Sequence, residues 1–168
     1  MQGTMVEKAE GGFMNIKKRN SHSVGWLPLL MAIMLVVWAC SPDLSDDPIP
    51  LTSFPDKSFN LNLPQYIALK TKGSAMEFND LGVRGVIVYC QDPGVYRAYE
   101  RNCSFHPNDA CATVNVDVSR LFMTDPCCGS SFDLNTGNPT GGAAWRPLRV
   151  YRTLYNGFEL VITDEVIE

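Results

Sequence analysis

Sulfur is concentrated in one short stretch of this chain. Asp125-Pro-Cys-Cys-Gly-Ser-Ser-Phe-Asp133 sets two adjacent cysteines in a tight turn too rich in sulfur for a plain loop. Cys103-Ser-Phe-His106 and Cys111 stand upstream, and Cys90 precedes them. Thiolates and an imidazole are soft donors suited to an iron–sulfur cluster or to zinc, whereas thiols in an oxidising compartment pair as disulfides. A zinc site would draw on Cys103, Cys111 and one or two of Cys127 and Cys128. Consecutive side chains of an extended segment point apart, and the Cys-x2-His and Cys-x7-Cys spacings are weak signals, so zinc ranks third. No catalytic residue is expected. His22 lies far upstream in a targeting segment, and serines near His106 in sequence do not make a Ser–His–acid set. Gly141-Gly142 lacks the lysine and helix of a phosphate loop. Arg146, Arg149 and Arg152 read as a solvated strand face rather than an anion site.

The elements that carry these residues read as short strands. Beyond residue 60 the pattern shows turn signals at close intervals and no sustained helical period. Segments 60–63 and 66–69 are expected as strands. Segments 85–90 and 95–99 flank Asp92-Pro-Gly94, which is strong hairpin chemistry. Val114, Val116 and Val118 alternate with polar residues as in a half-buried strand, and 121–124 leads into the sulfur-rich turn. Segments 148–155 and 158–163 flank Asn156-Gly157, a two-residue hairpin signal. The expectation is an all-β antiparallel sandwich or small barrel, with one helical turn around 73–80. Cys90 ends a strand and reads as a small buried hydrophobe.

Length and charge set the outer bounds. The chain has 168 residues, enough for one domain plus extensions, and a net charge of −4 with no basic stripe, which excludes a nucleic-acid partner. Lys17-Lys-Arg19 precedes an apolar run over 24–39 that ends in Val37-Trp-Ala-Cys40. A run of this length falls short of the roughly 20 residues a membrane span needs. It resembles a bacterial lipoprotein signal, in which the cysteine is lipidated and becomes the mature N-terminus. The resemblance implies a signal peptide over 1–39, with 1–13 outside it if Met14 is the true start. A lipidated Cys40 with a flexible tether follows over 40–58, then the folded domain over 59–168. The tether, Ser-Pro-Asp-Leu-Ser-Asp-Asp-Pro48, is polar and acidic and cannot bury a core. Its acidic start is similar to the surface-export signals of Bacteroidetes lipoproteins. The partner so implied is a membrane, reached through a lipid, and the compartment is the cell envelope, where thiols tend to be oxidised.

Over 85–163 the chain resembles the Rieske iron–sulfur domain. Members of that family carry two loops at hairpin tips, Cys-x-His-x-Gly-Cys and Cys-x-x-His-Gly-Ser, whose first cysteines bind one iron and whose histidines bind the other. Cys103 falls on the first thiolate position, Phe105 on the first histidine with His106 one residue later, and Cys111 on the first-loop disulfide cysteine. Asp125 falls on the second thiolate, Cys127 on the second disulfide cysteine and Cys128 on the second histidine. Gly129, Ser130 and the Phe132-Asp133 pair match, and so does Gly141-Gly-Ala-Ala-Trp-Arg-Pro-Leu148, the loop that covers the cluster. Phe132 stands where some members place a supporting tyrosine hydroxyl. Trp145 reads equally as a contact for a redox partner or as core packing.

Of the four ligand positions only Cys103 is unchanged, and a second imidazole is missing. The leading expectation is therefore a cluster-free binding or structural domain. The resemblance implies a Cys111–Cys127 disulfide; Cys103 and Cys128 can then close a second bridge where the metal once sat. The competing expectation is an electron carrier with an altered 2Fe–2S cluster held by some set of Cys103, His106, Cys127 and Cys128, with Asp125 a poor hard substitute. Such a carrier would have a redox or other envelope protein as partner.

Overall fold

A computed structural model describes residues 47–167. The targeting segment, Cys40 and the first part of the tether lie outside the described residues. Among the described residues, ten strands form two antiparallel sheets. They are β1 (Lys57–Asn60), β2 (Ala75–Phe78), β3 (Val86–Asp92), β4 (Val95–Glu100), β5 (Asn115–Val116), β6 (Phe122–Asp125), β7 (Ser130–Asp133), β8 (Pro139–Gly141), β9 (Val150–Tyr155) and β10 (Glu159–Val166). The larger sheet runs β1-β10-β9-β4-β3-β2 and the smaller runs β5-β6-β7-β8.

The larger sheet is covered on both faces, which is why β3 is a continuous apolar run rather than an alternating one. Val86, Val88 and Cys90 face one core, with Phe59, Leu69, Ala98, Leu160 and Ile162. Ile87 and Tyr89 face the other, with Tyr99, Cys103, Val114, Met123, Phe132, Leu148 and Val150. The second core therefore lies between the two sheets. Met123 and Phe132 reach it from the β6–β7 hairpin, and Cys103 reaches it from the loop after β4. Both sulfur-bearing loops thus emerge from one hydrophobic layer.

Several local expectations are revised. Segment 60–63 is a turn, because the Asn60 side chain accepts from the Asn62 N–H at 2.9 Å and its carbonyl accepts from the Leu63 N–H at 3.1 Å. The strand that pairs with β10 ends there, having begun at Lys57. Segment 66–69 falls in a single 3-10 turn, Ile67–Lys70, and buries Leu69. The segment expected to hold a helical turn is β2, paired along the free edge of β3 from Ala75↔Tyr89 to Phe78↔Val86. Cross-strand pairing outweighs so weak a local signal. Val118 does not continue the alternation of Val114 and Val116. It is 99% exposed, because the Asp117–Arg120 turn already reverses the chain, with the Arg120 N–H donating to the Asp117 carbonyl at 2.8 Å. Both expected hairpins, at 92–94 and 156–157, join the strands they were read to join. Among the described residues no helix is long and apolar enough to cross a membrane.

The latter part of the expected tether is held by the domain. Arg146 Nη1 donates to the Asp47 carbonyl at 2.8 Å and Arg149 Nη2 to the Ile49 carbonyl at 3.1 Å. Two of the three arginines read as a solvated face therefore anchor backbone. Only Arg152 lies on the exposed face, paired with Glu165.

Candidate functional site

The first loop leaves β4 at a polar scaffold that the sequence reading did not anticipate. Glu100 is fully buried, and its carboxylate accepts from four donors. These are the N–H groups of Val83 at 2.8 Å, Arg84 at 3.1 Å and Asn102 at 2.9 Å, and the Tyr151 hydroxyl at 2.8 Å. A buried carboxylate persists when it is saturated with hydrogen bonds. Arg84 then reaches across the loop. Its Nε donates to Asn102 Oδ1 at 2.5 Å, and its two terminal nitrogens donate to the carbonyls of Ala110 at 2.8 Å and Asp109 at 2.5 Å. The loop closes on itself where the Cys103 N–H donates to the Ala112 carbonyl at 3.1 Å. Cys103 thereby points inward and is 0% exposed.

The second loop is the tip of the β6–β7 hairpin. Asp125 pairs with Ser130 at the last rung of the ladder. Between them the Gly129 N–H donates to the Asp125 carbonyl at 2.9 Å, and the Cys127 N–H donates to Asp125 Oδ1 at 2.9 Å. The carboxylate caps its own turn in this way, a common use of Asp in tight turns. Its second oxygen, Oδ2, lies 3.4 Å from Cys128 Sγ. The Cys128 thiol also reaches Ser130 Oγ at 3.0 Å, and that hydroxyl accepts from the Ala144 N–H at 2.9 Å. The 141–148 segment thus lies over the second loop. It is also joined to the first, since Ser104 Oγ donates to the Arg146 carbonyl and Arg146 Nη2 to the Ser104 carbonyl, each at 2.6 Å.

The two tips meet. Cys111 and Cys127 form a disulfide with their Cα atoms 5.5 Å apart. Cys103 and Cys128, the other expected pair, stand as two thiols with Sγ atoms 3.7 Å apart. Burial, and then a hydrogen bond to Asp125, push the Cys103 thiol well above its ordinary value. Cys103, Asp125 and Cys128 bring their donor atoms within 4.8 Å of one another. His106, in positive-φ backbone, packs its ring edge-on against Phe105 at 4.2 Å and is not a member of this group. Cys90 lies apart, in the first core, with its thiol 3.3 Å from the Asp92 carbonyl.

This donor set does not fit the Rieske cluster. Two bridged irons need four protein ligands, with two imidazoles on one iron. Here the disulfide commits Cys127, no imidazole joins the group, and the remaining two thiols already touch each other and one carboxylate. The zinc set built on Cys111 is not assembled either, because Cys111 and Cys127 are bonded to each other. Asp125 is the member that sequence reasoning passed over as a hard, unsuitable ligand. Its position directly before Pro-Cys-Cys was the available signal.

No family model matches the chain, and no curated protein matches it. Solved structures similar to it include two connected with carbazole 1,9a-dioxygenase. One is the ferredoxin of carbazole 1,9a-dioxygenase from Nocardioides aromaticivorans IC177, at 19% identity over 67% of this chain and 96% of that one, with a TM-score of 0.42. The other is a chain of the complex of reduced oxygenase and oxidized ferredoxin in carbazole 1,9a-dioxygenase, at 19% identity over 55% of this chain and 91% of that one, also with a TM-score of 0.42.

Proposed function

We propose that this chain is a cell-envelope lipoprotein, lipidated at Cys40, whose Rieske-like domain is stapled across its two loops by the Cys111–Cys127 disulfide and carries no 2Fe–2S cluster. It serves as a binding or structural module facing the periplasm or the cell surface. One observation carries this reading. At the place where a Rieske cluster would be ligated, the chain presents two thiols and a carboxylate in mutual contact, beside a disulfide that joins the loops.

Anaerobic purification followed by visible spectroscopy and metal analysis tests the proposal. Colourless protein with iron and zinc well below one atom per chain is expected. Brown protein with charge-transfer absorbance and about two irons per chain would overturn it in favour of an electron carrier with an altered cluster. One zinc per chain would overturn it in favour of a metal-binding module.

A further inference from the structure

The two cysteine pairs differ in ways that matter chemically. Cys111 and Cys127 are bonded, whereas Cys103 and Cys128 are separate thiols at 3.7 Å, close enough to bond after a small side-chain rotation. Cys103 is fully buried, whereas Cys128 is partly exposed at the hairpin tip. A buried carboxylate, Asp125, lies 3.4 Å from the Cys128 sulfur, and its donor oxygen and the Cys103 sulfur are within 4.8 Å of each other. A permanent staple has no use for a proton acceptor between its sulfurs. A dithiol that opens and closes has, because each cycle must remove and return two protons.

We propose that Cys128, Cys103 and Asp125 form a thiol–disulfide exchange centre. It would act on small-molecule or protein disulfides and thiols. This rests on the cluster-free reading above and assigns an activity to the same site. Cys128 attacks a disulfide R–S–S–R′, forming Cys128–S–S–R and expelling R′–S⁻. The proton of Cys128 passes through Asp125 Oδ2 to R′–S⁻, giving R′–SH. Cys103 then gives its proton to Asp125 and attacks Cys128 Sγ, so that the Cys103–Cys128 bond forms and R–S⁻ leaves, taking up that proton. Two electrons pass from the dithiol to the substrate, and the reverse sequence oxidises a dithiol. In that direction Asp125 returns a proton to Cys103 as it leaves.

The same carboxylate makes the bridge labile. Closing it removes the Cys128 thiol hydrogen bond to Asp125 and leaves Oδ2 buried without it, which penalises the oxidised state. Closure of Cys111–Cys127 carries no such penalty, because that pair has no buried carboxylate on its sulfurs among the described contacts. The two bridges should therefore separate on a redox scale, with Cys103–Cys128 the more easily reduced.

Full-length protein equilibrated in glutathione buffers of graded potential, quenched with an alkylating reagent and mapped by mass spectrometry, tests this. Cys103 and Cys128 should become alkylated together at potentials where Cys111 and Cys127 remain blocked. Cys103→Ser should accumulate a glutathione adduct on Cys128, whereas Cys128→Ser should leave the buried Cys103 unmodified. Asp125→Asn should slow exchange at least tenfold and make the bridge harder to reduce. Reduction of both bridges over the same potential range would overturn the exchange centre while leaving the stapled module standing, as would equal adduct formation by the two single variants. Stoichiometric metal on Cys103 and Cys128 would overturn both readings.

Discussion

Glu100 shows how one side chain governs the approach to the site. Its four donors come from residues 83, 84, 102 and 151, so a single carboxylate ties the segment before β3, the start of the first loop and β9. Gly82 is part of the arrangement, since a Cβ there would run into Glu100 Oε2. Replacing Glu100 with Gln keeps the shape but turns one acceptor into a donor that faces N–H and O–H groups. Hydrogen bonds to a charged partner contribute about 1.5–3 kcal/mol each, so Glu100→Gln should destabilise the domain by about 3 kcal/mol or more in urea unfolding. A loss under about 1 kcal/mol would show that the scaffold is not needed. Asp125 works at shorter range. Oδ1 shapes the turn and Oδ2 serves the thiols, and Asp125→Asn preserves the first role while weakening the second.

The loops depend on close approach between elements as much as on the bond that joins them. Gly142, at φ +84°, lies directly over the second loop, where a Cβ would come within 2.5 Å of the Gly129 carbonyl oxygen and 2.7 Å of the Ser130 nitrogen. Gly142→Ala combines left-handed backbone strain with overpacking against backbone and should cost about 2–4 kcal/mol. Gly141→Ala meets nothing within 4 Å and serves as the control, with stability near that of the parent. The disulfide links positions 16 apart. Closing a loop of that size stabilises by about 3 kcal/mol on the chain-entropy model. The Cys111→Ser, Cys127→Ser double variant should lose about that much in chemical denaturation, and an unchanged midpoint would show that the covering segment and Arg84 hold the tips unaided.

Across the domain, burial leaves an alkaline signature. It is the largest cause raising the Cys90, Cys103, Tyr96 and Tyr151 side chains above their ordinary values, Tyr96 to about 12. Each group is neutral when protonated, and the folded state keeps its proton to higher pH than the unfolded chain. The resulting stability is fully present below the unfolded values, about 8.5 for a thiol and about 10 for a tyrosine, and is lost as pH rises through the folded ones. The urea midpoint of reduced protein should hold from neutrality to about pH 8.5 and then fall with increasing slope through pH 11. Oxidation of Cys103–Cys128 removes the Cys103 proton from this balance, so the decline should be shallower in the oxidised form. A midpoint constant or rising to pH 11 would contradict the assignment.

The strand class, the hairpins at 92–94 and 156–157 and the sulfur-rich turn were legible because period-two burial and turn chemistry are local properties, written within a few residues. The 73–80 segment was misread because its strand character comes from the open edge of β3, a partner that no local window contains. The pairing of Cys111 with Cys127 entered through the resemblance rather than from the spacing of the cysteines. The place of Asp125 between Cys103 and Cys128 needed the fold itself. Loops 25 residues apart become neighbours only when both are seated on the same inter-sheet core, and hydrophobic burial of that kind depends on the whole chain at once.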